Sequence, residues 1–304
     1  MRVRLSANDA VRLKKARRKL LLWFSRNGRS FFWRKLERNP YRVLVTEFML
    51  QQTQTFRVEE FLPKFLKQFP TAKKLALAST ADVVRAWQGL GYNRRAINLQ
   101  RSAQTIVVEF NGLFPSDEAA LRSLPGVGEY TARALQVFAF GKRVSVVDVN
   151  VIRVLSRITK KMSSTTTMLP IADIHHINTG LLPARAEKWH EALMDLGATI
   201  CKSRPACAQC PVQLECASYP ALHKAEHRPV GKNSNERIFF GKPKRIWRGE
   251  ILKVITARKV STSDLIKLYS HTLVYSPEFT AFVTQVADEL VREGLCKKQG
   301  KYYH

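Results

Sequence analysis

Four of the chain's five cysteines fall within 16 residues, Cys201, Cys207, Cys210 and Cys216, spaced Cys-x5-Cys-x2-Cys-x5-Cys. The stretch after the first of them, Lys202-Ser203-Arg204-Pro205, is polar and turn-forming, which argues against four unconnected core cysteines. In a long chain, such clustering favours thiolate ligation of a metal over a disulfide framework. A tetrahedral zinc ion and a [4Fe–4S] cluster both take four thiolates, and the spacing alone leaves both open. Cys296 stands apart near the C-terminus and reads as structural.

Charge narrows the partner. Lys and Arg number 51 against 24 Asp and Glu, a net +27, far more than solubility requires. The excess is spread along the chain: +11 over residues 1–39, +8 over 40–220 and +8 over 221–304. A membrane-surface protein concentrates charge on one amphipathic helix, whereas charge along the whole chain suits a nucleic-acid backbone. A single cluster such as Lys14, Lys15, Arg17, Arg18 and Lys19 is by itself an ordinary solvated face. No apolar run approaches the roughly 20 residues of a membrane span, and Met1 to Arg18 lacks the apolar stretch of a signal peptide. The expectation is a soluble, intracellular, monomeric protein, cytoplasmic and at the nucleoid if prokaryotic.

Apolar residues recur at three- and four-residue spacing over most of residues 10–200, with short Pro, Gly or Asn breaks, so the body is mainly α. The spacing predicts helices over 41–54, 56–69, 71–88, 94–110, 116–122, 130–140 and 149–158. Residues 221–245 mix Pro, Gly, Asn and charge without period and read as a linker. Beyond it, helices are expected over 246–256, 261–268 and 276–290, then two short strands around a turn near Gly294 and Gly300. Three helices and a β-wing look like a winged-helix domain over 246–304, with Lys297, Lys298 and Lys301 on the wing. A small protein-contact domain is the alternative.

Leu124-Pro125-Gly126-Val127-Gly128 lies between two predicted helices and precedes Tyr130-Thr131-Ala132. Glycines there allow a tight turn and expose N–H groups at the next helix start, where unpaired donors and the helix dipole favour a phosphate. Gly126, Val127 and Gly128 are therefore the candidate DNA phosphate contacts. Asp148 follows in an apolar run, Val144 to Leu155. Asp148 fits a helix N-cap.

This helix-hairpin-helix, the aspartate and the downstream tetracysteine loop resemble the endonuclease III-like base-excision DNA glycosylases, whose cysteines hold a [4Fe–4S] cluster. Within that superfamily, Thr46-Glu47-Phe48-Met49-Leu50-Gln51-Gln52-Thr53-Gln54, Gly89-Leu90-Gly91-Tyr92, Phe32-Trp33-Arg34 and Glu191 to Ala198 are similar to the adenine-specific, MutY-type branch. The likeness spans about residues 20–218. It implies a two-lobed module over 1–220, with a six-helix lobe over about 40–145 and a cluster lobe from about 1–39 and 146–220. It also implies monofunctional hydrolysis of adenine mispaired with guanine or 8-oxoguanine in double-stranded DNA. Glu47 would protonate adenine N7; its neighbours Val45, Phe48 and Leu50 favour the neutral acid that a proton donor needs. Asp148 would stabilise the oxocarbenium-like sugar or attack it. Gln51 and Gln52 would fill the space left by the base, Tyr92 would wedge into the stack, and Trp33 with Glu191 would line the pocket. Tyr130 stands where bifunctional members carry the Schiff-base lysine, so β-elimination should be absent or slow. The first cysteine spacing is one residue shorter than the family's usual one, Val149 follows Asp148 where these enzymes usually carry Gly, and a winged-helix-like segment stands where they append a larger Nudix-like domain.

Two other readings compete. A thymine or uracil glycosylase for T:G or U:G mispairs shares Tyr-Thr-Ala, Asp148 and the cluster, but usually has basic residues where this chain has Gln51-Gln52. A redox-sensing DNA-binding regulator would need neither Glu47 nor Asp148.

Overall fold

The computed structural model describes residues 5–36, 38–162, 167–224, 236–269 and 276–304. It is mainly helical, and none of its described helices is long and apolar enough to cross a membrane. The chain divides into two compact units, one of residues 1–40, 116–122 and 127–231, the other of 41–115, 123–126 and 232–304.

The first unit is built around the helices Ala7–Asn27, Glu129–Phe138, Val149–Thr159, Ile171–Leu181 and Ala186–Thr199. Ala7–Asn27 starts at a capping box in which Ser6 accepts from Asp9 N and the Asp9 carboxylate bonds back to Ser6 N, satisfying two donors that a helix start leaves open. Its buried stripe, Leu13, Ala16 and Leu20, packs in one core with Val151, Val154, Leu155, Trp189, Leu193 and Leu196. Ala186–Thr199 is buried nearly all round, including His190, Glu191 and Asp195. A helix carrying charge inside a core must find partners for it. Asp195 does so with Arg29, through N and Nε at 2.8 Å each, and with a two-pronged Arg34 at 2.9 Å on each oxygen.

In the second unit, helix Pro40–Leu50 ends four residues earlier than the apolar period suggests, because Gln52 takes a left-handed turn (φ 54°). The single helix expected over 71–88 is two, Ala72–Leu77 and Thr80–Trp87. Ser79 accepts from Asp82 N and starts the second, a cap the 3.6-residue period hides. Helices Thr55–Gln68 and Arg94–Val108 complete this layer.

The stretch read as a linker contains, in its described parts, the helix Tyr219–Lys224 and a hairpin pairing Ile238–Phe239 with Lys242–Pro243. Helices Lys244–Ala257, Thr262–Tyr269 and Pro277–Arg292 follow, the last capped by Ser276 with Pro277 in its first turn. The expected wing strands are Lys298–Gln299 and Tyr302–Tyr303, antiparallel. A third strand, Val260–Ser261, which the sequence reading lacked, pairs with Tyr302–Tyr303 on its other side. Two-residue strands carry no alternation to read. Trp247 anchors this segment, buried with its Nε1 on the Phe239 carbonyl at 2.7 Å. Its core also includes Val84 and Ile97 of the preceding helices. Gln88 Nε2 donates to Thr256 Oγ1 at 2.7 Å, so residues 236–304 are built onto the helical layer of the second unit.

Candidate active site and cysteine loop

Asp148 caps helix Val149–Thr159. Its Oδ1 accepts from Val151 N at 2.7 Å and its Oδ2 from Asn150 Nδ2 at 2.9 Å, which fixes a half-buried carboxylate at a helix N-terminus. Asn150 is held in turn by Arg153, whose Nη2 reaches Asn150 Oδ1 and the Gly197 carbonyl, each at 2.7 Å. Its Nε reaches the Cys201 carbonyl, also at 2.7 Å. The carboxylate is thus oriented by a chain of hydrogen bonds running back to the cysteine loop. Val149 is exposed beside it.

The four cysteines line one recess walled by Ile158, Leu196, Ile200, Val212 and Leu222. All four are free thiols. Burial pushes up Cys207, Cys210 (to about 12) and Cys216 (to about 11), and repulsion from neighbouring thiolates adds to it. Fully buried Arg157 donates to Cys201 Sγ at 3.5 Å and to the Lys202 carbonyl at 2.6 Å. Four thiolates crowded in an apolar recess are stable only around a cationic centre. All four cysteines line the same recess. That donor set fits a four-thiolate metal centre, as zinc or an iron–sulfur cluster would require.

Tyr130 is half-buried against the first unit's core, next to Glu129, which pairs with Arg133 at 2.6 Å. Gly128 precedes helix Glu129–Phe138 without a side-chain cap, so the helix start presents its backbone donors. Gly126 has φ 79°, and a Cβ there would come within 2.9 Å of Asn98 Cβ and 3.1 Å of Phe48 Cε1; only glycine fits that turn. Val127 is buried. Trp33 stacks on Phe31 with ring centroids 4.5 Å apart, and Glu191 is already paired, with Arg34 at 3.4 Å and Lys188 at 3.0 Å. Sequence reasoning named Trp33, Arg34 and Glu191 but not Lys188, nor the pairing of Arg34 and Lys188 with Glu191, which sets that carboxylate's charge environment.

In the second unit, Glu47 is buried on helix Pro40–Leu50, 7% exposed. Gln51 and Gln52 form the turn that follows. Tyr92 is exposed and takes φ 47° in the Gly89–Tyr92 turn. The two turns are brought together by Arg95, which sequence reasoning did not single out.

Residues 45–169 match the family described as HhH-GPD superfamily base excision DNA repair protein. An adenine DNA glycosylase of Mycobacterium tuberculosis is 40% identical over 242 residues, covering 78% of this chain and 77% of that protein. The human adenine DNA glycosylase is 38% identical over 218 residues, 68% of this chain and 40% of that protein. Among solved structures, a thermostable thymine-DNA glycosylase superposes with a TM-score of 0.64 at 27% identity, over 71% of this chain and 99% of that one. A trapped endonuclease III–DNA covalent intermediate superposes with a TM-score of 0.61 at 20% identity, over 73% of this chain and 100% of that one.

Proposed function

The chain belongs to the adenine DNA glycosylase family, and from that premise we propose that it hydrolyses the N-glycosidic bond of adenine mispaired with guanine or 8-oxoguanine in double-stranded DNA. The observation that carries this reading is Asp148: a carboxylate pinned by two hydrogen bonds at a helix start, able to stabilise a cationic sugar without first reorganising. Glu47 is the acid. It gives a proton to adenine N7, the C1′–N9 bond breaks with its electrons passing to the purine, and the sugar cation forms against Asp148 before water adds at C1′ and returns a proton to the ionised Glu47. Glu47 is buried, which keeps the acid away from bulk water. With Tyr130 where an amine would be needed, no Schiff base forms and the product is an intact abasic site.

The backbone donors around Gly126, Val127 and Gly128 hold a phosphate, and Gln51, Gln52 and Tyr92 enter the duplex as the adenine leaves it. Trp33 and Glu191 line the pocket. Cys201, Cys207, Cys210 and Cys216 would hold a [4Fe–4S] cluster. When bound, that cluster cross-links the 201–216 loop, which presents Lys202 and Arg204 for phosphate contact. The protein acts as a monomer in this reading.

The test is a panel of duplexes holding A:8-oxoG, A:G, T:G or U:G, scored for abasic sites by alkali cleavage. The reading requires adenine release from the first two. Cleavage confined to T:G and U:G would assign the chain a pyrimidine substrate instead, and cleavage of none would favour a DNA-binding regulator.

A further inference from the structure

Arg95 lies on helix Arg94–Val108, and its side chain is buried, 8% exposed. Its Nη1 donates to the carbonyls of Phe48 (2.9 Å), Met49 (3.0 Å) and Gln51. Its Nη2 donates to Thr53 Oγ1 (3.0 Å) and to the carbonyls of Leu90 (3.1 Å) and Gly91 (2.9 Å), and its Nε reaches the Tyr92 carbonyl at 3.4 Å. The guanidinium also faces the rings of Trp87 and Tyr92, 5.4 and 5.6 Å from their centroids. Every one of these acceptors is a carbonyl or a hydroxyl. One planar cation therefore closes the end of helix Pro40–Leu50, the Gln51–Gln52 turn and the Gly89–Tyr92 turn.

The backbone at this place is strained in a particular way. Among the described residues four that are not glycine have positive φ, and two of them, Gln52 (54°) and Tyr92 (47°), stand in the two turns that Arg95 ties. A non-glycine residue keeps that conformation only where its surroundings over-determine it. Lysine could not supply the same restraint, since a single ammonium with three donors cannot span carbonyls on two separate turns as a planar five-donor fork does.

We propose that Arg95 is a positioning residue that locks the Gln51–Gln52 turn and the Tyr92 turn into one preorganised wedge, so that both enter the duplex in a single register. This inference rests on the reading of those turns as the surface that displaces the adenine. Arg95 touches no reacting atom; it acts through Gln51, Gln52 and Tyr92. Its loss should slow extrusion of the base while leaving the proton-transfer chemistry unchanged.

The experiment uses the full chain and an A:8-oxoG duplex with 2-aminopurine beside the adenine, whose fluorescence rises when its neighbour leaves the stack. Arg95→Lys should lower the rate of that rise and the single-turnover rate of excision together, by about tenfold or more, as expected of misplaced groups, with the pH profile of excision unmoved. Thr53→Val removes one of the acceptors of Arg95, together with the hydroxyl's long contacts to the Gln51 and Leu90 carbonyls (3.4 and 3.5 Å), and keeps the charge, so it provides a milder test should Arg95→Lys fold poorly. It should slow extrusion by a few-fold at unchanged melting temperature. Wild-type extrusion in a folded Arg95→Lys protein, or in Thr53→Val, overturns the proposal. So does slowed excision with normal extrusion, or a displaced pH profile. A wild-type protein that gave neither a fluorescence rise nor abasic sites would overturn the functional reading and this inference with it; an active wild type with unaffected variants would overturn the inference alone.

Discussion

His190 gives the protein a built-in sensitivity to acid that can be worked out from its surroundings. The ring is fully buried, with Nδ1 2.7 Å from the Ala186 carbonyl, so that nitrogen carries the proton. Nε2 accepts from Val146 N at 3.0 Å and faces Asn178 Nδ2 at 3.2 Å, so it has no place for a second proton. Burial, acting first and foremost, holds its pKa down to about 4 from an ordinary 6.5. A base whose folded pKa is depressed contributes stability that is complete above the unfolded pKa and is lost as pH falls towards the folded one. The linkage relation then gives a loss of about 2 kcal/mol by pH 5 and about 3 kcal/mol by pH 4 from this group alone. His190→Gln cannot titrate, so it should be less stable than the parent at pH 7 but should lose less on acidification. Urea unfolding followed by far-UV circular dichroism at half-unit steps from pH 7.5 to 4 measures the difference. Because Val146 lies two residues before Asp148, single-turnover excision should fall with the same midpoint in the parent. Parallel stability–pH curves for parent and variant would refute the reasoning.

Arg34→Met leaves Asp195 buried with half its partners. Burial pushes the Asp195 carboxyl up, and the bonds and charges of Arg34 and Arg29 more than offset this, holding it below the ordinary range. The stability it contributes is present above the unfolded carboxylate pKa and lost below it, so the variant should unfold at a higher pH on acid titration and lose about 3–5 kcal/mol at pH 7 in urea melts. Deleting residues 236–304 uncovers Val84 and Ile97, at about 1.5–3 kcal/mol each, and should lower the urea midpoint of the remaining chain; an unchanged midpoint would mean the C-terminal segment folds separately. Lys259 and Lys301 flank the Tyr302 ring, 5.0 and 5.7 Å from its centroid. Replacing either by Ala should flatten the log–log salt dependence of DNA binding by about 0.9 if it meets a phosphate, whereas Lys298, paired with Asp288 at 2.8 Å, should matter less. Protein purified without oxygen should be brown and hold more iron than zinc. Cys207→Ser should bleach it and weaken DNA binding before it slows chemistry; stoichiometric zinc in the parent would reassign the loop.

What was legible in the sequence was the local geometry of short contiguous runs. The Asp148 cap, the Gly126 turn and the cysteine loop each declare themselves through residue types that only a few backbone shapes accept. Helix periods located most elements, and their ends failed where capping side chains and left-handed residues intervene, at Ser79 and Gln52. What stayed hidden was contributed by residues distant in sequence. Arg95, His190, Arg34 and Arg153 look like ordinary polar positions in a chain with 51 basic residues, and only the fold reveals that the arginines are spent on carbonyls or carboxylates far along the chain and that His190 accepts from the distant Val146 N. The sharing of a core between residues 84–97 and 247–303 was hidden for the same reason. Apolar period tells which face is buried, but not against what.

The central claim is that Asp148 acts on a sugar cation. In Asp148→Asn the amide oxygen can still accept from Val151 N, so the helix stays capped and the fold is retained. Single-turnover abasic-site formation on an A:8-oxoG duplex, measured beside equilibrium binding to the same duplex, tests the claim most directly. The account predicts binding close to that of the parent and base release slowed by about a thousandfold or more, since the missing charge is needed chiefly in the transition state. Base release at the parental rate from that variant would contradict it.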